Sequence, residues 1–388
     1  MSGRLLRLVC TTAVATGIVL APVPAEAGPE PAGPARPAER TVAELLTDLQ
    51  RLYREAEKAT ETYNGTEERL KKQRAEVKRL DAELARARLS LHDSRGAAGR
   101  LARQQYQNSS DLSPYVRLLL ARDPQRALDQ GHVIGQLARK RAETVGRLTG
   151  NERKADELAR RARKALDGHI ALAEQQKKQR DDVDDRLRDV EKLLASLTPR
   201  KLTELAAFEA AGIAKAQERF IASGALSGDG KPSAAGDRAV RFAVEQVGKP
   251  YQWGAEGPAS YDCSGLTSQA WERAGTPIPR TSQEQWARLQ RVPLGELRPG
   301  DLVVYFPEAT HVAMYLGGGM VVQAPRPGAR VKVSPIAANP VLGAVRPDPA
   351  GEPVRRYVPP RLPAGATDGS DAGYAAAYAP AAPETSAR

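Results

Sequence analysis

Positions 45, 49, 52, 56, 59, 63, 66, 70, 73, 77, 80, 84, 87 and 91 follow an alternation of four and three residues, and all but Gln73 carry an apolar or small side chain. A helix with a repeat of 3.5 residues keeps one stripe turned toward a partner helix, so this segment predicts a coiled-coil seam rather than a free surface helix. A second stripe runs through Leu148, Ala155, Leu158, Ala162, Ala165, Leu172, Val183, Val190, Leu193 and Leu197, interrupted by His169, Gln176 and Gln179. Between the two stripes, Ser113-Pro114 and Asp123-Pro124 break a helix, because proline lacks the amide donor and disfavours helix in the residue before it. Arms of similar length about a Pro-broken tip predict an antiparallel hairpin about 90 to 100 Å long at 1.5 Å per residue, with a parallel dimer as the alternative. Tyr115, Val116, Leu118, Leu119 and Leu120 are expected to cap its tip. Thr198-Pro199 reads as a cap followed by proline at the first helical position, so a further helix is expected over 199–222, giving a helical domain over 41–222.

The ends of the chain read differently. Arg4 and Arg7 precede an apolar run from Val14 to Val23, and Ala25-Glu26-Ala27 offers a small-residue cleavage site, so residues 1–27 read as a signal peptide. The run is too short to span a bilayer, so no stable membrane anchor is expected after cleavage. Cys10 precedes the run and follows Val9, a poor context for lipidation. Residues 28–40 and 349–388 are rich in Pro and Ala without periodicity and are expected to be disordered, and 223–236 (SGALSGDGKPSAAG) is expected to be a flexible linker with a reach of about 20 Å.

Cleavage removes Arg4, Arg7 and Glu26, taking the net charge from +11 to +10, and removes Cys10, leaving Cys263 as the single cysteine. A lone thiol exported to an oxidising compartment cannot form an internal disulfide and calls for another purpose. The positive charge suits an anionic partner such as cell-wall polymer or membrane surface; export argues against nucleic acid. Much of that charge alternates with acids along the helical half and solvates it.

The compact segment 237–348 reads as three helices followed by strands. Helices are expected over 237–247, 264–274 and from the capping box Thr281-x-x-Glu284, and strands over 302–306, 311–316, 320–324, 331–334 and 342–346. That order predicts an α+β fold with helices on one side of an antiparallel sheet. Cys263 stands at the start of a helix, where free amides and the dipole favour a thiolate. His92, His132 and His169 lie in the hairpin, leaving His311 as the one imidazole of the compact segment and the only histidine base available to the thiol. The same two residues also fit a buried small side chain and a surface imidazole.

Five segments occur in order: Pro250-Tyr251-Gln252-Trp253-Gly254, Asp262-Cys263-Ser264-Gly265-Leu266, Arg280-Thr281-Ser282-Gln283, Pro299-Gly300-Asp301-Leu302-Val303 and His311-Val312-Ala313-Met314-Tyr315. Together they resemble the NlpC-type family of papain-like bacterial cell-wall cysteine peptidases, across essentially all of 237–348. The resemblance implies a papain-like catalytic domain, Cys263 as nucleophile, His311 as base, and hydrolysis of peptidoglycan stem peptides, usually between D-glutamate and the following diamino acid. It places the third catalytic residue on Gln323, where histidine is commoner; its amide oxygen can still accept the imidazole N–H. It also places Tyr251 beside the nucleophile as an oxyanion donor, and Asp262 and Ser264 along the substrate groove. Arg280 then either reads a stem-peptide carboxylate or forms a structural ion pair. One cysteine and one histidine do not make a structural zinc site, and no phosphate-binding loop is present, so no metal and no cofactor are expected.

An amidase releasing intact stem peptides, or a non-enzymatic wall or division scaffold with a degenerate peptidase domain, are the alternatives. The hairpin is expected either to block the groove or to engage a membrane or division-complex protein. The exported chain is expected to be extracellular or cell-wall associated and to begin at Gly28, which N-terminal sequencing of protein recovered outside the cell will check; an N-terminus at Met1 would contradict it.

Overall fold

The computed structural model describes residues 40–107, 114–120, 123–226 and 230–369. The proposed signal peptide and nearly all of the leader lie outside them. Two long helices, α1 (Val42–Gln107) and α3 (Pro124–Ala195), pair side by side, with the short helix α2 (Pro114–Leu119) between them in sequence. Their contacts run in opposite directions: Arg95 meets Glu152, Gln73 Nε2 donates to the carbonyl of Ala165, and Arg186 meets Glu55. Leu80, Leu84 and Ala87 pack against Ala155, Leu158, Ala162 and Ala165, the positions that the two stripes name. The pair is therefore an antiparallel hairpin within one chain.

The tip differs from expectation. Val116, Leu119 and Leu120 are exposed, because a helix of six residues has too little surface to close over the end of the pair. Asp123 caps α3 by accepting from the amide of Gln125, and Thr198 caps α4 (Pro199–Ala222) by accepting from that of Lys201. Both side chains satisfy an otherwise orphan amide ahead of a proline.

The compact part contains α5 (Ala234–Glu245), α6 (Cys263–Arg273) and α7 (Ser282–Arg288) and six strands: β1 (Gln290–Val292), β2 (Leu302–Tyr305), β3 (His311–Gly317), β4 (Met320–Gln323), β5 (Lys332–Pro335) and β6 (Val341–Arg346). They form one antiparallel sheet in the order β1-β6-β2-β3-β4-β5. Strand side chains alternate between faces. Leu302, Val304, Val312, Met314, Val322 and Val345 turn toward α5 and α6. Val303, Tyr305, Ala313, Tyr315, Val321 and Ala344 turn the other way and are buried against Leu45, Leu46, Leu49 and Tyr53 of α1, Val190 of α3 and Leu205 of α4.

This corrects two expectations. The sheet carries helices on both faces, and the second layer is the N-terminal domain itself. A strand apolar on both faces cannot leave one in water, so the hairpin is seated on the compact segment rather than loosely tethered to it. The linker is correspondingly shorter: Ser233 caps α5 through the amide of Gly236, and the amide of Gly230 donates to the carbonyl of Leu297.

Residues 349–369 are also ordered against the domain, contrary to the expectation of disorder. The amide of Val333, on the edge strand β5, donates to Ala366, and that of Val354 donates to Pro232. An exposed sheet edge has amides to satisfy, and a segment without periodicity can satisfy them through its backbone. Residues 370–388 lie outside the described residues.

Gly265 fixes how α6 enters this arrangement. A Cβ there would lie 2.2 Å from the carbonyl oxygen of Ala255 and 2.8 Å from Asp262 Oδ1. Gly265→Ala is expected to cost about 1 to 3 kcal/mol through overpacking, read as a lower denaturant midpoint; an unchanged midpoint would show that the loop over α6 yields freely.

Candidate active site

Asp262 opens α6. Its Oδ1 accepts from the amide of Gly265 at 2.6 Å, which places Cys263 in the first helical turn. Arg280 grips the same carboxylate twice, Nη1 to Oδ1 at 3.1 Å and Nη2 to Oδ2 at 2.7 Å, and also donates to Ser264 Oγ and Glu256 Oε1. Asp262 is wholly buried and Arg280 nearly so. With α1 seated, Arg280 is engaged in an ion pair with Asp262, and this pair supports the helix start. Asn64 of α1 covers Asp262, so both residues face the helix that closes the site. Tyr251 belongs to the same buried cluster as Cys263, while Trp253 packs edge-on to Tyr63 of α1 with ring centroids 4.9 Å apart.

His311 begins β3 on the face shared by Ala313 and Tyr315. Its Nε2 is 2.7 Å from Gln323 Oε1, and Gln323 Nε2 donates to Ser334 Oγ at 2.8 Å. Because Ser334 takes the amide N–H, the oxygen of Gln323 is turned to the ring and accepts from Nε2–H. Gln323 thus fixes the tautomer as the sequence suggested, and Ser334 orients Gln323, a role with no signal in the sequence. An imidazole nitrogen of His311, the Sγ of Cys263 and a carboxylate oxygen of Glu57 all lie within 4.8 Å of one another.

Glu57 comes from α1 and was not expected here. Its Oε1 is 2.5 Å from His311 Nδ1. One turn further along, Glu61 accepts from Ser264 Oγ at 2.7 Å and from the amide of Ser282 at 2.8 Å, with the thiol of Cys263 3.7 Å away. Asn64 Nδ2 donates to Asp262 Oδ2 at 3.0 Å, and Arg326 donates to the Tyr53 hydroxyl while stacking on its ring. Residues 53, 57, 61 and 64 fall on one helix face at spacings of four and three. That face closes the site: Cys263, His311, Glu57 and Glu61 are all buried.

The electrostatics follow from the closure. Burial pushes the Cys263 thiol well above its ordinary value, and Glu61, Glu57 and Asp262 push it further, against Arg280. The helix dipole, which favours a thiolate, is opposed in this state by desolvation beside three acidic side chains. Burial opposes a charge on His311, but Glu57, Gln323 and Glu61 outweigh it and raise its pKa. Glu61 is pushed up to about 7 by burial and by Asp262, against Arg280, Ser264 and the Ser282 amide. With burial holding the thiol proton more tightly and the imidazole occupied at both nitrogens by Glu57 and Gln323, the thiol has no free base to begin nucleophilic attack. Glu57, Cys263 and His311 also form a set of three possible metal ligands, which a count of the compact segment alone does not contain.

A thiol at the first turn of a helix, a histidine on the adjoining sheet and an amide holding that histidine's far nitrogen define a papain-like thiol peptidase domain. Residues 248–343 match the family model described as NlpC/P60 family, so this chain carries an NlpC/P60 domain. A probable endopeptidase of Corynebacterium glutamicum is 47% identical over 89 residues, 23% of this chain and 43% of that one. The peptidoglycan endopeptidase RipA of Mycolicibacterium smegmatis is 36% identical over 114 residues, 26% of this chain and 23% of its own. A solved NlpC/P60 family protein from Bacillus cereus aligns at 30% identity over 30% of this chain and 42% of its own, with a TM-score of 0.29. The matched segment spans less than half the length of each.

Breaking the pair beneath the helix start tests its structural role. Asp262→Ala removes the buried carboxylate that Arg280 grips twice, leaving it only the half-exposed Glu256, and is expected to cost about 3 kcal/mol in chemical denaturation, with Arg280→Met recovering part of it. Equal destabilisation of the single and double variants would show that the cap, not the ion pair, carries the effect.

Proposed function

We propose that the chain is an exported, cell-wall-associated peptidoglycan hydrolase that cuts stem peptides, between D-glutamate and the diamino acid, and that α1 holds it latent. The observation that carries the hydrolytic reading is the thiol within 4.8 Å of an imidazole whose far nitrogen is held by an amide oxygen. The seating of Glu57 on His311 and of Glu61 beside Cys263 supports latency.

When α1 lifts, both carboxylates leave and water enters. Nδ1 of His311 is then free to take the thiol proton, while Gln323 keeps Nε2–H in place. The thiolate attacks the scissile carbonyl, and the resemblance assigns the oxyanion to the Cys263 amide and the Tyr251 hydroxyl. The imidazolium returns its proton to the leaving amine, giving a thioester. Water, deprotonated by the same imidazole, then releases the acid and restores the thiol.

The far end of the hairpin supports recruitment by a membrane or division-complex protein. Leu119, Leu120 and Leu128 are exposed there, many turns from the seated part of α1, and a pull on such a long rigid pair reaches the site without unfolding the peptidase domain.

Digestion of purified cell wall followed by fragment masses tests the reaction. The Glu57→Ala/Glu61→Ala double variant is expected to alkylate at Cys263 at least 10-fold faster than the wild type and to release cut stem peptides; loss of a buried pair is worth about 3 kcal/mol or more, roughly a hundredfold in the open population. Cys263→Ala is expected to release none. Intact stem peptides would identify an amidase, absence of cleavage by an alkylatable double variant would contradict hydrolysis, and equal alkylation of wild type and variant would contradict latency.

A further inference from the structure

The seated helix does more than cover the catalytic pair, because it completes a donor set. Cys263 offers a sulfur, His311 a ring nitrogen and Glu57 a carboxylate oxygen, all within 4.8 Å and on residues that are 3% exposed or less. The second oxygen of that carboxylate, Glu57 Oε2, is buried and accepts no hydrogen bond. Full burial of an acceptor without a donor is uncommon, and here it sits beside two strong metal ligands. Three acidic side chains, Glu57, Glu61 and Asp262, are buried around the pair; Arg280 engages Asp262, so Glu57 is left to His311 and to an ion.

The outer contacts match those of a metal-bound histidine. Such an imidazole normally donates its other N–H to an acceptor that fixes its tautomer. Here Nε2–H is held by Gln323 Oε1 at 2.7 Å, and Gln323 is held by Ser334. Nδ1 is therefore the ligating nitrogen. Ligand atoms about 2.0 to 2.3 Å from a tetrahedral zinc stand roughly 3.3 to 3.6 Å apart, so closing on an ion parts Nδ1 and Glu57 Oε1, now 2.5 Å apart, by about 1 Å and draws on a set that already lies within 4.8 Å. Glu61 Oε1, 3.7 Å from the sulfur, lies near enough to share the fourth position with water. Thiolate and imidazole together select a zinc-like ion over magnesium or calcium, which prefer oxygen alone.

We propose that Glu57, Cys263 and His311 bind one Zn2+ when α1 is seated, so that the ion locks the helix onto the catalytic pair. Binding replaces two protons, one from the thiol and one shared by His311 Nδ1 and Glu57, with a single ion held by thiolate, neutral imidazole and carboxylate. No bond is made or broken besides these. The ion ties residue 57 to residues 263 and 311, so its removal is a condition for opening. The inference rests on the seated helix but not on peptide hydrolysis, since a chain that never cut a peptide would still bind the ion.

The full chain, stripped with a chelator and desalted, is titrated with Zn2+ in a calorimeter and, in parallel, with Co2+ as a spectroscopic probe. One ion per chain is expected, with a cobalt–thiolate charge-transfer band and the visible bands of a tetrahedral site. Zn2+ is expected to slow alkylation of Cys263 at least 10-fold. Glu57→Gln keeps the shape of the side chain and is expected to weaken Zn2+ at least 10-fold; Cys263→Ala is expected to abolish the charge-transfer band, and His132→Ala, on the exposed part of the hairpin, to change neither. Absence of a thiolate band, or equal affinity of the Glu57→Gln and wild-type chains, would overturn the proposal. Failure of wall digestion alongside intact Zn2+ binding would overturn only the hydrolytic reading.

Discussion

The sheet is apolar on both faces, and much of the molecule follows from the need to cover the second one. Leu302, Val304, Val312 and Met314 are satisfied by α5 and α6, which belong to the same compact segment. Val303, Tyr305, Ala313, Tyr315 and Val321 lie on the other face, where α1, α3 and α4 join Val292, Leu297, Phe306 and Ile336 of the same segment in covering them. At about 25 cal/mol per Å2 of apolar surface, such a contact easily outweighs the entropy of a short tether. Once Leu45, Leu46 and Leu49 are seated on the sheet, the rigidity of α1 carries the next turns across the catalytic groove. Glu57 and Glu61 therefore reach His311 and Cys263 because they continue a helix anchored elsewhere.

Burial then determines the chemistry. In open solvent, a thiol in the first turn of a helix with an imidazole at hand tends toward the ion pair that attacks carbonyls. With α1 seated, the same thiol is desolvated and surrounded by Glu57, Glu61 and Asp262, and the imidazole is held at both nitrogens, with Glu57 favouring its charged form. One set of residues thus supports two states, and the difference between them is a single helix face. Charges that are costly to bury are tolerated because each has a specific partner: Glu57 on His311, Glu61 on Ser264 and the Ser282 amide, Asp262 on Arg280.

Much of the frame was legible. The four-and-three stripe named Leu80, Leu84, Ala87 and their partners on α3, since a seam needs a repeating pattern. Proline after Asp123 and Thr198 marked helix starts, and the ordered motifs marked Cys263 and His311. Glu57, Glu61 and Asn64 were not legible for a definite reason: Glu57 and Asn64 each follow a seam position, at 56 and 63, on the flank where a coiled coil ordinarily carries charge. Nothing in their spacing separates a carboxylate meant for an imidazole from one meant for water. Arg280 was ambiguous because a guanidinium near a carboxylate serves substrate or structure equally, and its four bonds to Glu256, Asp262 and Ser264 appear only in the folded chain.

Local rules, acting over a few residues, are written directly in the chain: helix periodicity, proline breaks, caps, strand alternation, and the presence of one thiol and one imidazole in the compact segment. These determined the helical arms and the α+β segment and narrowed the candidate pair to Cys263 and His311. Which helix covers the open face of the sheet, and in what register, depends on contacts between residues more than two hundred positions apart. That choice belongs to tertiary packing, and it alone decided that the thiol is closed and that the Glu57 carboxylate stands beside the imidazole.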